Sequence, residues 1–238
     1  VLLLGSRKAY EAECRLGETT TTDDADGDIL EQRVVPALDD GRIGAELAAL
    51  TGHITQLAPV YSALKQAGVP LYRRARRGEE VLAPTRKVDV QRFELLERWP
   101  DGLRLLVECG SGTYVRSLVR DLGERLGCGA HVTALRRLWV EPVRDPRMIG
   151  LDELAILAET HRDELDARLL PLEQGLASYP QVHLDMSAAT RLRQGQIVET
   201  PTPGAGRCVA LDPKGKPVAL AEWSDDGQLR PLRGFNPQ

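Results

Sequence analysis

Apolar and polar residues alternate over residues 8–18, which predicts a half-buried strand near the start of this chain. Tyr10, Ala12, Cys14 and Leu16 fall on one face of that strand, and the other face is mostly charged. A period of two places successive side chains on opposite sides of a sheet. We therefore expect the first of these faces to pack against the protein core.

A hairpin is predicted in the middle of the chain. Residues 86–99 and 103–111 both have strand patterning, and the Pro-Asp-Gly segment between them is a turn signal. A further strand is predicted over 131–144. The stretch 19–28 is polar throughout and predicts a solvated loop, whereas 58–81 predicts mostly helix and turn.

The strongest helical periodicity begins after Thr113, which has the side chain of an N-cap residue. The apolar residues that form one helical face are Val115, Leu118, Val119, Leu122 and Leu126. Gly127 follows at the position where helices often end in a left-handed residue. The pairs expected to stabilise the polar face are Asp121 with Arg125 and Arg120 with Glu124.

The pattern changes near residue 178, where a short helix precedes several short strands separated by turns. Helices are also predicted near 43–51, over 151–159 and over 161–170. We therefore predict two domains, 1–177 and 178–238, the second of them rich in β-structure.

Arg116 is placed unfavourably in the predicted helix. It lies in the first turn, where the helix dipole already provides partial positive charge. The compensating group is either a surface carboxylate such as Glu108 or a catalytic carboxylate that the guanidinium keeps ionised. The residues alone leave both interpretations open.

Composition excludes several classes of protein. The formal charge is −4, so net charge does not indicate a nucleic-acid partner, although a local basic face can still bind one. No apolar run reaches the roughly 18 residues that a membrane span needs. The four cysteines form no CxxC pair, which favours reduced thiols and a cytoplasmic protein.

Candidate chemistry other than RNA binding is weak. Cys109, Cys128 and His131 do not form a metal-ligand pattern, so no metal is expected. Neither a nucleophile motif nor a phosphate-binding glycine loop is present.

A basic segment supports the RNA-binding interpretation. Arg73, Arg76 and Arg77 lie close to Lys65 and Tyr72, and Arg136 and Arg137 form a second basic pair. Cations interleaved with aromatic rings are suited to phosphates and stacked bases. A solvated surface helix accounts for the same residues, and this alternative stays open.

Three segments resemble the bacterial tRNA pseudouridine-55 synthases of the TruB type. They are RKAYEAECRLGETTTTDDADG, YSALKQAGVPLYRRARRGEEV and GSGTYVRSLVRDLGERLGCGAHVTALRRLWV. The resemblance implies an α+β fold, with a mixed sheet, flanking helices and a small C-terminal PUA-like RNA-binding domain. It also implies isomerisation of uridine 55 in the T-loop of tRNA, with no cofactor or metal, by a monomer.

The resemblance also implies roles for individual residues. Arg116 matches the arginine that pairs with the catalytic aspartate of the family, and Tyr10 matches the tyrosine that stacks on the target base. Tyr114 and Leu135 match positions that line the uracil pocket. The residues expected to contact the tRNA T-arm are Lys65, Arg73, Arg76 and Arg136.

The sequence departs from the family at one point. The family's catalytic aspartate lies in a segment resembling G-H-x-G-x-L-D-P before the first strand, and these 238 residues contain no such segment. Asp212 lies in a Leu-Asp-Pro sequence, but its surroundings predict a hairpin turn. We therefore expect an N-terminally incomplete synthase that lacks its nucleophile. The alternatives are a non-catalytic RNA-binding or RNA-folding protein with the same scaffold, and a synthase acting on another RNA.

Overall fold

The computed structural model describes residues 6–200 and 204–235, and these divide into two compact units between Pro146 and Arg147. The predicted domain boundary between residues 177 and 178 stays a prediction. Among the described residues, no helix is long and apolar enough to cross a membrane.

The first unit contains an antiparallel sheet of five strands. The strands of this unit are β1 (Lys8–Leu16), β2 (Glu18–Thr20), β3 (Ile29–Gln32), β4 (Gly52–Leu57), β5 (Lys65–Gln66), β6 (Val69–Pro70), β7 (Thr85–Trp99), β8 (Gly102–Cys109) and β9 (Ala130–Val140). Its helices are α1 (Asp40–Ala49), α2 (Leu71–Ala75) and α3 (Val115–Leu126). The large sheet has the order β4-β7-β8-β1-β9, so β1 is an inner strand and β9 an edge strand. The predicted hairpin of β7 and β8 is confirmed.

The helix α3 packs on this sheet through the apolar face predicted from its spacing. The buried members of that face are Val115, Leu118, Val119, Leu122 and Leu126. Gly127 ends the helix with a φ of 88°, as predicted. A Cβ atom on Gly123 would lie 2.2 Å from the backbone nitrogen of Ala130, so glycine is needed where α3 crosses the start of β9.

The start of α3 differs from the prediction. The N-cap residue is Tyr114 rather than Thr113, and its side chain makes no capping bond. Instead, buried Gln56 of β4 accepts a hydrogen bond from the Tyr114 amide at 2.9 Å and donates one to the Tyr114 carbonyl at 3.1 Å. A side chain distant in sequence thus bonds both backbone groups of the N-cap residue.

The predicted charge pairs within α3 are wrong, because tertiary partners replace them. Arg120 pairs with Asp23 and Asp121, Arg125 pairs with Glu46, and Glu124 pairs with Arg33. Pairs within a helix contribute only about 0.2–0.5 kcal/mol, so carboxylates on neighbouring segments compete readily for these arginines.

Two other local predictions also need correction. Residues 21–28 connect β2 to β3 mainly through turns, as predicted, but residues 19 and 20 belong to β2, and Thr20 is buried. Asp24 forms an isolated bridge with Val132 of β9, which ties this loop to the large sheet. Within 58–81, the only helix is the five-residue α2, and a short β5–β6 hairpin precedes it.

The second unit contains helices followed by a small sheet. Its helices are α4 (Leu151–Thr160), α5 (Arg162–Asp166), α6 (Leu172–Gly175) and α7 (Met186–Arg193). Its strands are β10 (Gln181–His183), β11 (Val198–Glu199), β12 (Arg207–Leu211), β13 (Pro217–Trp223) and β14 (Gln228–Gly234). The sheet has the order β10-β12-β13-β14-β11, and α7 packs against it through Ala189 and Leu192. The predicted α+β fold class is confirmed, but the large sheet of the first unit is antiparallel rather than mixed, since each of its strands pairs in antiparallel register.

Candidate active site

Arg116 joins three segments of the first unit. Its Nη1 lies 2.6 Å from Oδ2 of Asp24 and donates to the Thr22 carbonyl at 3.0 Å, while Nη2 donates to the Tyr61 carbonyl at 3.0 Å. The carboxylate that compensates this cation is therefore Asp24. Glu108 is not that partner, since it lies 3.5 Å from Arg92 on the sheet.

Asp24 is held in its ionised form. Burial raises the pKa of its carboxyl group. Hydrogen bonds from Thr22 and Arg116, together with the charge of Arg116, lower that pKa by more than burial raises it, so the pKa lies below the ordinary value. The Asp26 amide also donates to this carboxylate at 3.2 Å. The pair is about three-quarters buried, with 23% of the Arg116 side chain and 24% of the Asp24 side chain exposed. A charge in this environment interacts more strongly than one at an open surface.

The ion pair lies in an open cleft of about 650 Å³. The residues that line it are Thr21, Thr22, Asp24, Asp26, Gly27, Asp28, Tyr61, Ser62, Ala63, Tyr72, Arg76, Tyr114 and Arg116. Three tyrosines, an arginine–aspartate pair and further carboxylates thus surround one space. Such a lining is suited to a planar polar ring that is stacked and hydrogen-bonded at the same time.

Two of the predicted RNA-contacting arginines stack at one side of this cleft. The guanidinium carbons of Arg73 and Arg76 lie 5.9 and 5.7 Å from the centroid of the Tyr72 ring. Arg73 Nε also donates to the Tyr72 hydroxyl at 3.3 Å. Lys65 is exposed on the neighbouring β5. These groups form a basic rim around an aromatic ring.

The other predicted residues lie on the sheet and are not among those lining the cleft. Tyr10 of β1 is flanked by Val107 of β8 and Arg137 of β9. Burial and the nearby Cys109 raise the pKa of its hydroxyl, whereas Arg137 lowers it, and the net pKa is raised. Leu135 is opposite Ala12 and is 46% exposed.

Arg136 is opposite Glu11 on β1 and is exposed. Because side chains alternate along a strand, Arg136 lies on the opposite face of the sheet from Leu135 and Arg137. The structure therefore brings Arg116, Tyr114 and Arg76 together at the cleft, places Tyr10 and Leu135 on neighbouring strands, and sets Arg136 apart from them.

Sequence reasoning missed Asp23, Asp24 and Arg120. Asp24 contacts a residue 92 positions away, and its surroundings are typical of an ordinary turn. One signal was available in the sequence. Arg116 and Arg120 are four residues apart on one helical face, and two adjacent aspartates in the loop could have been matched to them.

No group of three or more His, Cys, Asp or Glu side chains in the described part of the chain is arranged to hold a metal ion. The four cysteines are buried and unpaired.

Comparison with protein families identifies three matching segments. Residues 1–115 match the TruB family pseudouridylate synthase (N terminal domain). Residues 116–177 match the tRNA pseudouridylate synthase B C-terminal domain, and residues 180–235 match Pseudouridine synthase II TruB, C-terminal.

Several curated proteins are similar over almost the whole chain. A tRNA pseudouridine synthase B of Xanthomonas axonopodis pv. citri (strain 306) is 52% identical over 235 residues, covering 99% of this chain and 76% of that protein. The protein of the same name from Xylella fastidiosa (strain Temecula1 / ATCC 700964) is 51% identical, covering 99% of this chain and 78% of that protein. The one from Ectopseudomonas mendocina (strain ymp) is 43% identical, covering 97% of this chain and 76% of that protein.

Two solved structures share the fold. A chain of a Cbf5-Nop10-Gar1 complex aligns with a TM-score of 0.73 at 21% identity, covering 99% of this chain and 68% of that chain. A chain of an H/ACA RNP bound to a substrate RNA containing 2′-deoxyuridine aligns with a TM-score of 0.72 at 20% identity and the same coverage.

Proposed function

The chain belongs to the TruB family of pseudouridine synthases, and we propose that it isomerises uridine 55 in the T-loop of tRNA to pseudouridine. The observation that carries this proposal is the Arg116–Asp24 ion pair in a cleft that Tyr114 also lines. The similar curated proteins are named tRNA pseudouridine synthase B, which supports tRNA as the substrate.

The reaction breaks the bond between N1 of uracil and C1′ of the ribose, rotates the base, and forms a bond from C5 to C1′. C5 loses a proton to solvent and N1 gains one, so the composition is unchanged and the reaction is an isomerisation. The base must leave the folded T-loop to reach the enzyme. In this scheme Arg116 keeps a carboxylate ionised beside the base, Tyr10 stacks on the base, and Tyr114 and Leu135 line its pocket.

The attacking carboxylate has two candidates. The first is the aspartate of a G-H-x-G-x-L-D-P segment, which the 238 residues do not include. The second is Asp24, whose ionised carboxylate already contacts Arg116. We propose the first, with Asp24 orienting Arg116, because Asp24 also accepts hydrogen bonds from Thr22 and Asp26 and is held within its own loop.

We propose that the T-arm binds across the basic rim formed by Lys65, Arg73 and Arg76. The stacked arrangement of the two arginines on Tyr72 supports this surface. A contact from Arg136 requires RNA that passes around the edge strand β9, since Arg136 lies on the other face of the sheet from Leu135. Residues 178–238 are proposed as the PUA-like domain that adds further RNA contacts.

The test is release of the C5 hydrogen from a T-arm hairpin RNA that carries tritium at C5 of its uridines. We expect release that disappears when uridine 55 is replaced by cytidine. The protein made from its own gene and the 238-residue chain are assayed in parallel, and the coding sequence before Val1 is read. Release only by a product that carries the G-H-x-G-x-L-D-P segment assigns attack to that segment. Release by the 238-residue chain instead assigns it to Asp24.

Binding of the hairpin without release by any of these proteins contradicts the proposal. That result would identify a non-catalytic RNA-binding protein. Release from the cytidine-substituted hairpin or from another RNA would instead overturn the assignment to uridine 55.

A further inference from the structure

A second arginine–aspartate pair lies one helical turn from the Arg116–Asp24 pair. Arg120 Nη1 lies 3.0 Å from Oδ2 of Asp23, and Arg120 Nη2 donates to the Leu57 carbonyl at 3.0 Å. Arg120 also contacts Oδ1 of Asp121 through Nε at 3.0 Å and Nη2 at 2.9 Å. All three guanidinium nitrogens of Arg120 are therefore occupied by acceptors.

The two arginines make parallel sets of contacts. Arg116 links Asp24 to the carbonyl of Tyr61, and Arg120 links Asp23 to the carbonyl of Leu57. Residues four apart on a helix lie on the same face, about 5–6 Å apart. Two adjacent loop carboxylates thus meet two successive turns of α3. Arg116 also reaches the segment that follows β4, and Arg120 reaches the last residue of β4.

The backbone of the loop is arranged for this double contact. Asp23 has a φ of 60°, a left-handed conformation in which aspartate and asparagine are enriched among the residues other than glycine. Its carbonyl accepts a hydrogen bond from the Val132 amide at 3.1 Å, so the loop is attached to β9 on one side and to α3 on the other. The residue with this left-handed backbone is the one whose side chain pairs with Arg120.

The second pair is more enclosed than the first. Only 15% of the Asp23 side chain and 20% of the Arg120 side chain are exposed, and Asp23 is not among the residues lining the cleft. Burial raises the pKa of the Asp23 carboxyl, and the charges of Arg120 and Arg116 oppose that rise. Removing Arg120 would leave a buried carboxylate without its main counterion, which is costly.

We propose that Arg120 is a positioning residue, which together with Asp23 clamps the 22–24 loop to α3 and thereby fixes the Asp24 carboxylate against Arg116 in the cleft. Arg120 does not line the cleft and acts through its neighbours. This inference rests on the proposed function for its effect on turnover, but its effect on the geometry of Arg116 is independent of the reaction.

The kinetic test compares Arg120→Ala with Arg125→Ala. Arg125 is a matched control, since it lies on the same helix and pairs with Glu46 at 2.6 Å without taking part in the cleft. We expect Arg120→Ala to lower kcat by about 10- to 100-fold with KM within about threefold, because a small misplacement of a reacting group has an effect of that order. Arg125→Ala should leave kcat unchanged, and Arg120→Lys should restore only part of the loss. Equal kcat values for Arg120→Ala and Arg125→Ala would overturn the proposal.

A second measurement does not depend on activity. The Nη–H signals of Arg116 are followed by NMR in the 238-residue chain at low temperature and assigned with Arg116→Lys. In the unchanged chain we expect slow rotation of the guanidinium, which Asp24 and the Tyr61 carbonyl hold. In Arg120→Ala, these signals should broaden and move towards those of a free guanidinium, whereas Arg125→Ala should leave them in place.

Asp23→Asn is a second variant, for use if Arg120→Ala does not fold, because it keeps the contact of Arg120 with Asp121. We expect the Arg116 signals to change in the same direction as in Arg120→Ala. Unchanged Arg116 signals in both folded variants would refute the clamp. If the unmodified enzyme releases no C5 hydrogen, the proposed function fails, while the NMR comparison still decides whether the clamp exists.

Discussion

Two aspartates, Asp24 in the first unit and Asp212 in the second, each form an ion pair with a helical arginine, yet they depend on different parts of the chain. Asp212 lies 3.1 Å from Arg193 and accepts hydrogen bonds from the amides of Lys214 and Lys216 at 2.9 and 3.0 Å. These amides belong to its own hairpin turn, as the sequence predicts. Asp24 lies 2.6 Å from an arginine that is 92 residues away.

The two carboxyl groups have a pKa below the ordinary value for different reasons. For Asp212 the largest cause is the hydrogen bond from the Lys216 amide, so its charge is neutralised by the turn that it closes. For Asp24 burial acts in the opposite direction, and the Thr22 and Arg116 hydrogen bonds outweigh it. The side chain of Asp24 is 24% exposed and borders the cleft, while that of Asp212 is 8% exposed. One carboxylate completes a local structure, and the other borders the cleft.

The largest expected effect is a difference in activity between variants of Arg116 and of Arg193, the arginines that pair with Asp24 and Asp212. In the protein that carries out the reaction, Arg116→Ala should lower kcat by roughly 1,000-fold, the upper range for loss of one electrostatic contact in an active site. Hairpin RNA affinity should stay within about tenfold, because phosphate contacts elsewhere provide most of the binding. Arg193→Ala should leave kcat unchanged. Tritium release and filter binding measure both quantities, and near-normal turnover by Arg116→Ala would remove its assigned role.

The next effect concerns the carboxylate beside Arg116. Asp24→Asn keeps the shape of the side chain and removes its charge, so Arg116 loses its ionic partner but keeps the carbonyls of Thr22 and Tyr61. We expect kcat to fall by about 100-fold, in line with a misplaced active-site group. Single-turnover kinetics on the T-arm hairpin measure this step. A fall no greater than that of Asp212→Asn would show that the two carboxylates do not differ in function.

Asp212→Asn is expected to change stability rather than activity. Asp212→Asn keeps one oxygen for the two turn amides, which both bond Oδ1, and replaces Oδ2, the partner of Arg193, with an NH2 group. The melting temperature should fall by about 2–4 °C, the scale on which a protein of this size responds to loss of one such contact. Calorimetry measures the shift, and Lys214→Ala is a control, since its amide remains. An unchanged melting temperature would indicate that the ion pair between Asp212 and Arg193 does not stabilise this unit.

The smallest expected effect concerns how the stability contributions of Asp23 and Asp24 depend on pH, which should differ in sign. The folded pKa of Asp24 is lowered, so its stabilising contribution is present above the unfolded pKa and is lost as the pH falls through the folded pKa. The folded pKa of Asp23 is raised, so its contribution is greatest below the unfolded pKa and is lost as the pH rises. Urea unfolding of Asp23→Asn and Asp24→Asn between pH 3 and pH 7 should give stability differences that change in opposite directions. Parallel changes would contradict the assigned pKa directions.

The sequence was sufficient for most of the fold because its signals are local. The apolar face of α3, the Pro-Asp-Gly turn and the left-handed Gly127 each depend on residues within a few positions of one another. The same holds for the Asp212 turn. Errors arose where tertiary contacts replaced local ones. At Tyr114, for example, Gln56 forms hydrogen bonds with the backbone amide and carbonyl.

Only part of the candidate site could be predicted from the sequence. Arg116 could be singled out because a cation at a helix start is unfavourable wherever the helix lies. Its partner could not be identified, since no local pattern distinguishes Asp24 from Asp26 or Asp28. The choice between them depends on the left-handed backbone at Asp23 and on the bridge between Asp24 and Val132.

The two hydrogen bonds from Gln56 to Tyr114 have a consequence for engineering this cleft. A residue at the start of a helix is normally restricted to the few side chains that cap it. Here the Tyr114 side chain makes no capping bond and Gln56 bonds the Tyr114 backbone, so a substitution at residue 114 removes no bond that α3 uses at its start. Position 114 is therefore suited to saturation mutagenesis, in which the shape of the cleft wall is varied while the helix that carries Arg116 is retained.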